Sequence, residues 1–264
     1  MSAAAERLLR RLPLNPQFRD ELRRFLDNGA ARVLALWLVG CVGVVLLLAW
    51  PVYPVLDLAQ GPFTYKAVGT VTVLVAAYLA FVHGIRAQAG GGRFSVQEWA
   101  AFVPLAPGAY VRGAAAGRML ELLFFVALAF PLLMPAAALE GAAAPQYLAL
   151  GLILAMTALT GRLVALAGLL WLEHRPSLLI VLTHAAMAGM FLGGLAWPPL
   201  SPLAAFYASL GGITGGGWGE SLAAPWPGFV LTHGLAAAAA FTLAWWRVGG
   251  LRRRAGLASS AAGR

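Results

Sequence analysis

Six apolar runs divide this chain, each near the roughly 20 residues that a helix needs to cross a bilayer. They are Val33–Val55, Val68–Ile85, Met119–Leu139, Tyr147–Leu172, Leu178–Leu195 and Phe229–Trp246. Pro51 and Pro54 lie near the far end of the first, and Pro131 lies inside the third. Of all residues, 61% are hydrophobic and 11% charged, against roughly 25% charged in soluble domains. The chain therefore reads as an all-α polytopic membrane protein with six transmembrane helices.

The arginines set the orientation. If the N-terminus lies inside, 17 of the 19 basic residues fall in inner segments, Lys66 alone falls outside, and Arg162 lies within a span. Cytoplasmic segments carry the excess of Lys and Arg, so both termini are expected in the cytoplasm. The net charge of +9 is explained by this flanking pattern, and nucleic acid is not an expected partner. Trp50, Trp197 and Trp226 at outer ends, and Trp171, Trp245 and Trp246 at inner ends, fit interfacial belts.

The segments between the spans differ in kind. Residues 1–28 are polar and basic. Asn15-Pro16 is a helix start, and Phe18, Leu22, Phe25 and Leu26 then share one face. This predicts an amphipathic interfacial helix with its arginines toward anionic lipid. Arg86–Arg118, between the second and third spans, is the long inner segment. Its centre, Phe94–Leu105, is too short and too polar at its ends to span, and reads as a docking helix. Between the fifth and sixth spans, Trp197–Gly228 contains Pro199, Pro202 and the Gly215–Gly217 run. It is expected to form a short helix over Leu203–Leu210 that re-enters the outer leaflet, or else an external loop. The six-span membrane domain thus covers 29–246, and 247–264 is a basic inner tail.

Several chemistries are excluded. A P-loop needs Gly-Lys-Ser/Thr, but the one lysine, Lys66, stands between Tyr65 and Ala67. The four histidines are scattered, the lone Cys41 lies in an apolar run, and no nucleophile elbow is present. No metal, cofactor or catalytic residue is expected in this chain. Arg162 is the one charge well inside a span, ~15 Å from its inner end at the helical rise. Such a charge costs about 2.5–3.5 kcal/mol on insertion scales and marks a functional candidate. It is expected to pair with Glu121 or Glu173, to line a substrate path, or to snorkel. Few polar groups line the spans, which favours a lipid-like or hydrophobic cargo.

Two local motifs bear on function. Asn15-Pro16-Gln17-Phe18-Arg19-Asp20-Glu21-Leu22-Arg23 is similar to an Asn-Pro…Glu-Leu-Arg opening. Glu98 followed by an apolar run and Pro104-Leu105-Ala106-Pro107 is similar to a Thr-Leu-Glu-(apolar)-Thr-Pro-Leu-Ser-Pro stretch that precedes a Gly-Lys pair. Gly113 matches that glycine. In this order the motifs and spans resemble the permease subunits of the ABC exporter family that includes polysaccharide, drug and sodium exporters. The chain departs from that family at Arg86–Arg93, where a Glu-Arg-Glu-Arg-Gly run is replaced by a sequence without acids. It departs again at Ala114, which replaces the lysine.

The resemblance implies a half-transporter in a bacterial-type inner membrane. It would pair with a second permease copy, or a related permease, and with a separate ABC ATPase that binds ATP and Mg. Phe94–Leu105 would be the coupling helix, with Glu98 its polar contact, Trp99, Phe102 and Leu105 its apolar contacts, and Pro104 a fixed point. Its motion would pass to the second and third spans. The competing reading is a membrane scaffold or assembly factor with no transport cycle.

Overall fold

The structure is a computed structural model, and it describes residues 15–27, 29–50, 63–83, 95–140, 144–210 and 225–262. Every regular element in these residues is helical. Helix α1 (Pro16–Asp27) starts where Asn-Pro places it: Asn15 Oδ1 accepts the Gln17 N–H at 2.9 Å. Helix α2 (Gly29–Leu48) ends before Pro51, and Pro51–Val55 lies outside the described residues. Helix α3 (Phe63–Tyr78) continues into a π-helical turn, Leu79–His83.

The described part of segment 86–118 holds a short helix within Phe94–Leu105 and the start of a long one. Helix α4 (Val96–Phe102) has seven residues. Helix α5 (Pro107–Glu140) follows after four residues and runs for 34. The third span was expected from Met119, but Pro107 suits the first turn of a helix and no breaker follows. The helix also continues through Pro131 and Pro135. Helix α6 (Ala144–Leu172) and helix α7 (Pro176–Ala196) match the fourth and fifth runs closely. A 3₁₀ turn, Pro198–Leu200, leads to helix α8 (Pro202–Ser209). Helix α9 (Pro225–Ala262) joins the sixth run and the basic tail in one element. Its last turns hold Leu, Ala and Arg, which are good helix formers, and Gly249-Gly250 does not end it.

Among the described residues, five helical stretches are long and apolar enough to cross a membrane: Thr64–Val82, Pro107–Leu139, Ala144–Leu172, Pro176–Ala196 and Gly228–Gly256. The apolar part of α2, Val33–Leu48, is shorter. The chain is thus a multi-pass helical membrane protein. Leu36, Leu192 and Leu231 are among many apolar side chains left open on its outside, as lipid contact requires.

Two large cores hold the bundle, and a small third cluster of Ala165, Leu169 and Leu179 joins α6 to α7. The larger joins α2, α3, α5, α6 and α8, with Met190 of α7 and Phe229 of α9, around Val42, Val73, Phe125, Ile153 and Phe206. The smaller joins α4, the start of α5, the end of α6 and the far half of α9 around Ala100, Tyr110, Leu166 and Ala244. The helix segments that build or adjoin this second core carry Arg112, Arg118, Arg175, Arg247 and Arg252–Arg254.

At the opposite end α8 is enclosed. Ser201 caps it, with its Oγ accepting the Ala204 N–H at 3.3 Å. Phe206 is buried against Gly69 of α3 and meets the Tyr65 ring edge-on at 5.9 Å. Tyr207 and Thr70 share a hydrogen bond of 2.9 Å between their hydroxyls. His233 of α9 lies against the Leu200 carbonyl at 3.2 Å and the Thr160 hydroxyl at 3.3 Å. The expected short helix is therefore present and covered. The Gly215–Gly217 run lies outside the described residues.

Candidate functional site

A seven-residue helix is too short to persist alone, because nucleating its first turn fixes several dihedrals for one hydrogen bond. Helix α4 is held by its ends. Ser95 Oγ accepts the Glu98 N–H at 3.1 Å, and Glu98 Oε2 accepts the Ser95 N–H at 2.9 Å. This is a capping box. The next two donors go to another element: Glu173 Oε1 accepts the Val96 N–H at 2.6 Å, and Oε2 accepts the Gln97 N–H at 2.9 Å. A carboxylate on a helix N-terminus is also favoured by the peptide dipoles. Glu173 directly follows α6, and its N–H donates to the Leu169 carbonyl at 3.1 Å.

Two further bonds fix the other sides of α4. Arg252 Nε of α9 donates to the Ala100 carbonyl at 3.0 Å. Trp99 Nε1 donates to Gln17 Oε1 of α1 at 3.2 Å. Hydrogen bonds to charged groups contribute about 1.5–3 kcal/mol each, so Glu173 and Arg252 are the strong ties.

The face that α4 leaves open is narrow. Phe102 is a large apolar side chain that is 74% exposed. Pro104 and Glu98 are exposed beside it. Trp99 and Leu105 pack instead against the core around Tyr110 and Leu166. Of the residues expected at a docking surface, Glu98, Phe102 and Pro104 are thus open, and Glu98 also caps its own helix. Phe94 lies outside the described residues.

Helix α1 is seated on α5. A Cβ placed on Gly113 would lie 2.7 Å from Asn15 Oδ1, and one on Gly117 would lie 2.5 Å from the Glu21 Cβ. Only glycine permits that approach. Asn15 Nδ2 donates to the Ala109 carbonyl at 2.7 Å. Phe25 reaches further along α5, with its ring 5.4 Å from Phe124. Helix α1 is therefore fastened to the bundle through Asn15, Gln17 and Glu21 as well as Phe25.

Polar links continue from α1 into the apolar layer. Gln17 Nε2 donates to Glu21 Oε1 at 3.2 Å, and Arg118 of α5 reaches the same oxygen at 3.5 Å. One helical turn on, Glu121 of α5 meets Arg162 of α6 at 3.4 Å. Arg162 is 1% exposed and Arg118 is 4% exposed. Of the two acids weighed for Arg162, the structure brings Glu121 to it and sends Glu173 to α4. The Nε atoms of Arg118 and Arg162 have no hydrogen-bond partner among the described residues.

Nothing in the sequence places Gln17, Glu173 or Arg252 against α4. Their partners lie between 76 and 152 positions away in sequence, and no spacing rule connects them. Two missed features had local signals. Gly113 and Gly117 have the small-x-x-x-small spacing of close helix packing, and Ser95…Glu98 has capping-box spacing. No group of three or more His, Cys, Asp or Glu that could hold a metal ion occurs among the described residues. No protein-family model matches the chain, and no curated protein or solved structure matches it.

Proposed function

We propose that this chain is the membrane-spanning permease subunit of an ABC exporter, driven by ATP hydrolysed in a separate ATPase chain. The observation that supports this reading most directly is α4. It is a short, end-capped helix at the arginine-rich end, tied to α1, α6 and α9, with Phe102 facing outward. A helix fixed on three sides and bare on the fourth suits a contact through which a partner moves the bundle. In this reading the arginine-rich end is cytoplasmic, and the protein lies in a bacterial-type inner membrane beside a second permease copy. Helix α8 enters the outer leaflet. Phe102 and Pro104 seat in the ATPase, and Glu98 keeps α4 helical at the contact.

The test is capture of a P-loop ATPase by the purified full-length chain. Phe102→Arg is expected to abolish capture with little change in thermal stability, because 74% of the side chain is exposed. Capture that survives Phe102→Arg would remove the docking assignment. Absence of any ATPase partner from the wild-type chain would favour a scaffold without a transport cycle.

A further inference from the structure

In the sequence-based expectation, motion of the coupling helix passes to the spans on either side of it in the chain, α3 and α5. The hydrogen bonds favour another route. Glu173, directly after α6 and bonded back to its Leu169 carbonyl, takes two backbone N–H groups of α4, and Arg252 takes the Ala100 carbonyl from α9. These two helices are themselves joined at the same level: Arg247 Nε donates to the Leu170 carbonyl at 3.0 Å, and its guanidinium lies 4.9 Å from the Trp171 ring centre. A helix bound by both termini to one helix pair cannot shift without that pair.

We infer that Glu173 and Arg252 make α4 one rigid body with the adjoining ends of α6 and α9, so that displacement of α4 drives the α6–α9 pair. Both are positioning residues. The Arg162–Glu121 pair carries the same motion from the middle of α6 to α5. This rests on the proposed permease reading for its driver, but the clamp itself is a property of the isolated chain.

Backbone amide exchange on the full-length protein tests both parts. Glu173→Gln keeps the size of the side chain but replaces one acceptor oxygen with a donor. It is expected to speed exchange at Val96 and Gln97 by about tenfold or more, since it removes a charged partner. Exchange in the middle of α5 and α6 should stay unchanged, and Glu173→Asp should restore part of the protection. Unchanged exchange at Val96 and Gln97 in Glu173→Gln would overturn the clamp.

With the ATPase bound, a non-hydrolysable ATP analogue is expected to alter exchange at the ends of α6 and α9 in the wild type. Glu173→Gln should lose that response while still holding the ATPase. A response confined to α3 and α5, or retained in Glu173→Gln, would overturn the inference. If Glu173→Gln fails to fold, Arg252→Gln removes only the Ala100 tie, and it should release α4 from α9 with the same loss of response. A wild-type chain that captures no ATPase would defeat the permease reading alone, because amide exchange in the isolated chain still tests the clamp.

Discussion

At the arginine-rich end, α4 is tied to three other helices through Glu173, Arg252 and Gln17. At the opposite end, α8 is held by Phe206 packed against Gly69, and by single bonds such as Tyr207 to Thr70. Both short helices have Ser caps and no stability of their own. The difference lies in what surrounds them. Helix α8 is covered by α3, α6 and α9, so apolar contact can hold it. Helix α4 has one face open, so it depends on directional bonds to groups anchored elsewhere. Charged ties suit an element that must be exposed and fixed at once, whereas ring-on-glycine packing suits one that must be hidden.

Between the two ends lies the Arg162–Glu121 pair, and breaking it should have the largest effect. Glu121→Ala leaves a buried guanidinium without its carboxylate, and losses of about 3–5 kcal/mol are typical of such half-broken pairs. Thermal unfolding in detergent should show it. Replacing both members, Glu121→Leu with Arg162→Met, should recover most of the stability, since paired apolar replacements of buried ions are often neutral.

Equal insertions at the two ends should then sharpen the contrast. Gly69→Leu meets the Phe206 ring, and Gly117→Leu meets Glu21 and the α1 backbone near the Phe18 carbonyl. Overpacking costs about 1–3 kcal/mol. Amide exchange should rise in α8 for the first variant and in α1 for the second. Loss of protection in both helices from either change would mean that the two ends are not independent.

What was legible in the sequence follows how local each signal is. The start of α1 rests on Asn15-Pro16, a two-residue signal, and the structure keeps it. Helices α6 and α7 follow from uninterrupted apolar runs. Helices α5 and α9 are longer than their runs because Arg112, Arg118 and Arg252–Arg254 dilute hydropathy without breaking a helix. Apolarity marks where lipid lies; it does not mark where a helix stops. Glu121 is legible as a partner for Arg162 because a buried charge demands one. Glu173 was weighed for the same role and found instead at α4, since its partners are backbone N–H groups that any residue carries. A carboxylate seeking a helix end leaves no pattern in composition or spacing.

Ser95→Ala removes the side-chain acceptor of the capping box, at a typical loss of about 1 kcal/mol. It should raise exchange at Glu98, while Glu173 continues to protect Val96 and Gln97. The smallest effect on stability belongs to Phe102. With 74% of its surface exposed, Phe102→Ser should leave thermal stability within about 0.5 kcal/mol, as surface changes do. If stability falls by more, the ring is part of the fold and α4 has no open face. If stability holds and ATPase capture is lost, the residue contributes nothing to the isolated chain and much to its complex. That separation distinguishes a docking residue from the bonded side of α4, where Glu173 and Arg252 should alter amide exchange whether or not a partner is present.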